Sequence, residues 1–192
     1  PAALRHGLRD PRLRGADMTG RVMVILLLGA AAVAGAGMYY LQVYHFYEEI
    51  PADVAEVKLT TLDGREAQAV MFENYEGIDA TSSPIRYRAC FDLGSGAAAL
   101  AGIYATYPAA EPLVGPGWFD CYDAQAVGAD LEDGRAVAFL GVENTEYGVD
   151  RVVAVYPDGA AVSWDQLNRC GEVVFDGDPA PEGCPPAPEA YQ

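Results

Sequence analysis

RVVAVYPDGAAVSW, residues 151–164, decides the fold. Residues 151–156 form an apolar, valine-rich run, and residues 160–164 form a second run of strand length. Between them stand Pro157, Asp158 and Gly159. Proline presets φ at the first turn position and glycine accepts positive φ, so the chain is predicted to fold back here as an antiparallel hairpin.

Further strands follow on both sides of the hairpin. Residues 135–142 (RAVAFLGV) and 86–93 (RYRACFDL) read as strands, and VVF at 173–175 as a short one. Residues 57–62 alternate with period two and end in Asp63-Gly64, a hairpin signal with its return strand over 65–72. Two short helices are predicted among them. One covers 96–104 with Ser95 as its cap; the other covers 124–133, capped by Asp123 and stopped by Gly134. PLVGPGWF, 112–119, reads as irregular. Hairpin-joined strands with one or two short helices define an α+β domain with an antiparallel sheet. That domain is predicted over 58–178, followed by a tail over 179–192 that carries five prolines.

The four cysteines are Cys90, Cys121, Cys170 and Cys184. An even count without a C-x-x-C spacing points to two disulfides, with three connectivities open. Nearest-neighbour pairing, Cys90–Cys121 and Cys170–Cys184, is the expectation. The second loop, of about 15 residues, is worth about 3 kcal/mol in chain entropy.

Toward the N-terminus, the stretch opening at Val22 and closing at Val43 has no charged residue. Its 22 residues would make a helix about 33 Å long, enough for a hydrocarbon core of about 30 Å. Arg21 precedes it; Tyr39, Tyr40, Tyr44, Phe46 and Tyr47 crowd its far end like an interfacial belt. The reading is a transmembrane helix over 22–43, then an aromatic belt and linker over 44–57. Residues 1–21 form a basic arm without apolar period; Met18 is the first methionine, and residues 1–17 read as upstream translation or an irregular arm. Arginine before the helix and Glu48-Glu49 after it orient the N-terminus toward the cytoplasm and the domain toward the periplasm of a bacterial inner membrane. The competing reading is a signal peptide cleaved near Ala34 or Ala36.

Charge is divided unequally. The whole chain carries −16, from 12 basic and 28 acidic residues. Five arginines and two aspartates precede residue 48, for +3, so the remainder carries −19. That surface repels phosphates, so no nucleic-acid partner is expected. Both histidines, His6 and His45, also precede residue 48, which leaves the domain without a Ser–His–Asp or Cys–His set. No phosphate-binding loop or dinucleotide fingerprint is present. No catalytic residue, cofactor or metal ligand is singled out. Asp130, Glu132 and Asp133 before Gly134 fail the spacing of a calcium loop. In GPGWFDC, 115–121, Trp118 and Phe119 pack over a disulfide or, where solvent-facing, serve as a partner contact.

SSPIRYRACF (82–91), PGWFDCYDA (116–124), YGVDRVVAVYPDG (147–159) and CGEVVFDG (170–177) resemble an uncharacterised family of short alphaproteobacterial single-anchor membrane proteins. The resemblance implies a shared fold and membrane anchoring and no activity. The expected function is a non-enzymatic accessory or assembly partner of a membrane complex. The alternatives are an acidic binding module for a cationic ligand or basic protein, and a carboxylate-dependent hydrolase.

A reporter that matures only outside the cytoplasm, fused after Gln192, is expected to be active. A reporter active only in the cytoplasm would reverse the orientation.

Overall fold

The computed structural model describes residues 12–63 and 66–189, with side chains from Gly20 onward. The chain divides after His45 into two compact units.

The first unit is helical. Helix α1 spans Arg12–Tyr40 and continues as a π-helical turn over Leu41–His45. Within it, Gly20–His45 is long and apolar enough to cross a membrane, and every side chain from residue 20 to 42 is exposed. The helix starts ten residues before the apolar run, so the basic arm expected to be irregular is helical from Arg12; residues 1–11 lie outside the described residues. Once the apolar segment is helical, propagation through residues 12–21 needs no new nucleus, so the helix extends despite Gly15 and Gly20.

The second unit is α+β, as its strand pattern predicts. A six-stranded sheet runs in the order β1-β4-β5-β8-β7-β6, with every neighbouring pair antiparallel. The strands are β1 (Glu48–Glu49), β4 (Phe72–Asp79), β5 (Arg88–Leu93), β6 (Val137–Glu146), β7 (Val149–Val155) and β8 (Ala160–Leu167). A separate hairpin joins β2 (Lys58–Thr60) to β3 (Ala67–Ala69). The predicted hairpin is β7–β8, with Val155 opposite Ala161. Its turn has Gly159 at φ +96°, and the Asp158 carboxylate accepts from Ala160 N–H.

Both sheet faces are covered. On one, Phe91, Phe139, Val153 and Val155 pack with Leu59 of the β2–β3 hairpin and with helix α2 (Ala97–Leu100). On the other, Ile78, Val152, Ala154 and Trp164 pack with Val127 of helix α3 (Ala124–Glu132), Phe119 and Tyr122. Alternation sends Val153 and Val155 to the first face and Val152 and Ala154 to the second. That is why β7 reads as a continuous apolar run. The edges are covered in part. Chain 105–107 bonds to β6 through Tyr107 N–H to Ala138 C=O and Leu140 N–H to Ala105 C=O, and β1 caps the end of β4.

Several expectations change. Residues 173–175 are not a strand; they end helix α4 (Arg169–Phe175). Asn168 caps it, its side-chain oxygen accepting from Cys170 and Gly171 N–H. Gly171 then lies on Gly148, where a Cβ on either glycine would overlap the other's backbone. Helix α2 is one turn rather than nine residues, and its cap is Gly96, not Ser95, with no side-chain cap bond. The return strand expected over 65–72 pairs only at Ala67–Ala69; Phe72 already belongs to β4, which the sequence did not signal. The turn at Gly64 and Arg65 lies outside the described residues. The stretch expected as a linker supplies β1, and Val57 is buried in the core. Asp123 does cap α3, accepting from Gln125 and Ala126 N–H, and Gly134 follows at φ +71°.

Disulfides join Cys90 to Cys121 and Cys170 to Cys184. The first ties β5 to the entrance of α3. The second closes the tail onto α4, where Arg169 also donates to Glu182 C=O and Tyr147 to Pro185 C=O. Cys170→Ser is expected to expose the tail to limited proteolysis while the sheet survives. Cys90→Ser should cost more, about 4 kcal/mol in total against about 3, because its loop is longer. Four reactive thiols in unreduced wild-type protein would refute both.

Candidate functional site

Counting outward from the β7–β8 turn places Arg151 opposite Asp165. Both side chains therefore share one sheet face. Arg151 Nε donates to Asp165 Oδ1 at 2.7 Å and Nη2 to Oδ2 at 2.9 Å, a bidentate pair. The Arg151 guanidinium also lies over the Tyr87 ring, 3.5 Å from its centroid. The Tyr87 hydroxyl meets that of Tyr75 at 3.3 Å, and Tyr75 stacks on Phe91. An aromatic layer from β4 and β5 thus holds the guanidinium from one side and Asp165 fixes its edge.

This pair floors an open cleft of about 590 Å³. Around it stand Glu48 and Glu49 of β1, Asp79 at the end of β4, the loop 80–84, and Thr145 and Glu146 of β6. Asp165 retains 5% of its side-chain exposure and Arg151 24%. Five lining carboxylates face one guanidinium, and Asp165 already neutralises that guanidinium. The four that remain give the cleft a negative field suited to an ammonium or guanidinium group. Burial lifts the Asp165 carboxyl above its ordinary range, and the bonds from Arg151 pull against that shift. Burial also pushes the Tyr87 hydroxyl well up. With both Asp165 oxygens spanned by Arg151, the floor holds charge rather than delivering a proton.

The other sheet face is built around a second buried cation. Arg88 is 3% exposed and donates to the carbonyls of Ile85, Tyr87, Leu113 and Val114. Gln166 accepts from Trp164 Nε1 and from Glu111 N–H, and donates to Ala109 C=O. Together they pin the irregular segment 109–122 across the sheet. Phe119 is buried within it; Trp118 is half-buried, edge-to-face with Tyr47 at 5.9 Å. Of the two predicted contact residues, Trp118 is the one that reaches the surface. Of Asp130, Glu132 and Asp133, the first and last serve as ion-pair partners: Arg135 donates to both, and Tyr156 to Asp130. Among the described residues no group of three His, Cys, Asp or Glu is placed to hold a metal ion.

The sequence did not single out the Arg151–Asp165 pair, although the signal was present. A turn at 157–159 fixes the register, and the register sets 151 against 165. Glu48 and Glu49 had no such signal, because their place in the sheet depends on β4.

Replacing Arg151 by Met leaves Asp165 buried without its counter-ion and should cost about 3–5 kcal/mol at neutral pH. Without Arg151, burial alone raises the Asp165 pKa above its unfolded value. The penalty is therefore absent below the unfolded carboxylate range and grows as pH rises through the folded value. Denaturant unfolding of wild type and variant checks this: the gap should narrow in acid, and a gap independent of pH would refute it.

No curated protein and no solved structure matches this chain. Residues 57–185, about two-thirds of the chain, match the sequence model of a family of unknown function. The matched stretch holds all four cysteines, both buried arginines and Asp165. The chain belongs to that family, DUF6446.

Proposed function

We propose that this is a single-pass protein of the bacterial inner membrane, with its N-terminus cytoplasmic and its C-terminal domain periplasmic. The domain is a non-enzymatic accessory or assembly partner that grips a basic segment of another protein in its acidic cleft. The observation that carries this reading is the cleft itself, whose one cation is already consumed by Asp165 while Glu48, Glu49, Asp79 and Glu146 stand around it. The apolar helix Gly20–His45 supports the anchor, and the two disulfides support an oxidising compartment. The hydrolase alternative gains the cleft, but the buried carboxylate on its floor, Asp165, is spanned by Arg151.

The test uses the full chain in phosphatidylcholine nanodiscs with a tetralysine peptide as probe. Binding should weaken steeply with added salt. The E48Q/E49Q/E146Q variant should bind at least about tenfold more weakly, a loss of about 1.4 kcal/mol. Unchanged affinity in that variant, or binding insensitive to salt, would overturn the cleft as the binding surface.

A further inference from the structure

Three side chains from distant stretches of chain meet at one place on the domain. Tyr47 and Trp118 pair edge-to-face, with centroids 5.9 Å apart and planes at 82°. Arg86 lies over the Tyr47 ring, 5.6 Å from its centroid. Trp118 rests on Phe119 at 6.3 Å and keeps part of its indole at the surface. A half-buried Trp beside a Tyr and an Arg is the combination that favours a bilayer–water boundary. Each of these side chains has an apolar body for the acyl edge and a polar tip for the headgroups.

Chain continuity says which boundary that is. The apolar helix closes at His45, and Tyr47 is two residues further on. Two residues span at most about 7 Å. With the helix across a bilayer, Tyr47 is confined to the headgroup layer, and Trp118 is carried there by its contact with Tyr47. Glu49 and Asp120 line one hollow with Trp118, so the face repels anionic lipid and suits headgroups that also bear an ammonium.

We propose that Tyr47, Trp118 and Arg86 form a foot by which the domain rests on zwitterionic lipid headgroups. The Trp118 indole lies in the interfacial layer and the Arg86 guanidinium lies against the phosphates. This rests on the membrane-anchored reading above and adds to it the face that the domain turns to the lipid.

The chain has two tryptophans, and Trp164 is fully buried, so it serves as the internal control. The full chain is reconstituted in phosphatidylcholine vesicles that carry a spin label on the headgroup. Quenching in wild type should be at least twofold greater than in Trp118→Phe, whose remaining emission comes from Trp164. Trp164→Phe, which leaves Trp118 as sole reporter, should be quenched more completely than wild type. Equal quenching of wild type and Trp118→Phe, in protein that resists alkaline extraction from the vesicles, overturns the foot. Protein released by alkaline extraction overturns the membrane reading itself, and the foot with it.

Discussion

The β7–β8 hairpin has apolar side chains on both of its faces, and the rest of the domain follows from covering both. Val149, Val152, Val153, Ala154, Val155 and Trp164 are each at most 1% exposed. A sheet with a single covering layer would leave half of these in water. Burying a Val or Leu side chain is worth about 1.5–3 kcal/mol, so exposing one face would forfeit several such contributions. The β2–β3 hairpin with α2 serves one face, and α3 with segment 109–122 serves the other. Disulfide Cys90–Cys121 fastens the second layer to the sheet at the place where it has least regular structure.

Asp165, Arg88 and Asp150 are buried in this interior and Arg151 is largely so, and the charges are satisfied in three different ways. Arg151 takes a carboxylate on the next strand and an aromatic face. Arg88 takes four carbonyls and the face of Tyr122, which suits a segment whose backbone is not paired in a sheet. Asp150, 5% exposed, accepts from Tyr107, Asn144 N–H and Asn168, and so joins the β6–β7 turn to the cap of α4. Only the first opens to solvent. The cleft over Arg151 and Asp165 is therefore the place where the polar interior meets the acidic surface, and it is the place we assign to a basic partner.

Two surfaces with opposite preferences then stand on one domain. The cleft gathers carboxylates and favours cations. The Tyr47–Trp118–Arg86 cluster gathers aromatic rings and one of the few cations in an acidic domain. In the reading proposed above, the first takes a basic partner and the second rests on neutral lipid.

The sequence by itself determined the α+β class, the β7–β8 hairpin, strands β5 and β6, helix α3 with its Asp123 cap, and the long apolar helix. These rest on local chemistry: turn residues, period-two or period-3.6 patterning, and a capping side chain. What it missed depends on distant partners. Strand β4 has mixed polarity and a bulge at Asn74, at φ +51°, so its alternation is broken. VVF at 173–175 has strand propensity, yet Asn168 and the Gly148–Gly171 contact make it the end of a helix. The cleft was legible only in part. Arg151 against Asp165 follows from one hairpin's register, but Glu48, Asp79 and Glu146 come from strands β1, β4 and β6, which only the finished sheet brings around one cleft. Tertiary structure alone gathers them, because sheet pairing joins residues that no local pattern relates.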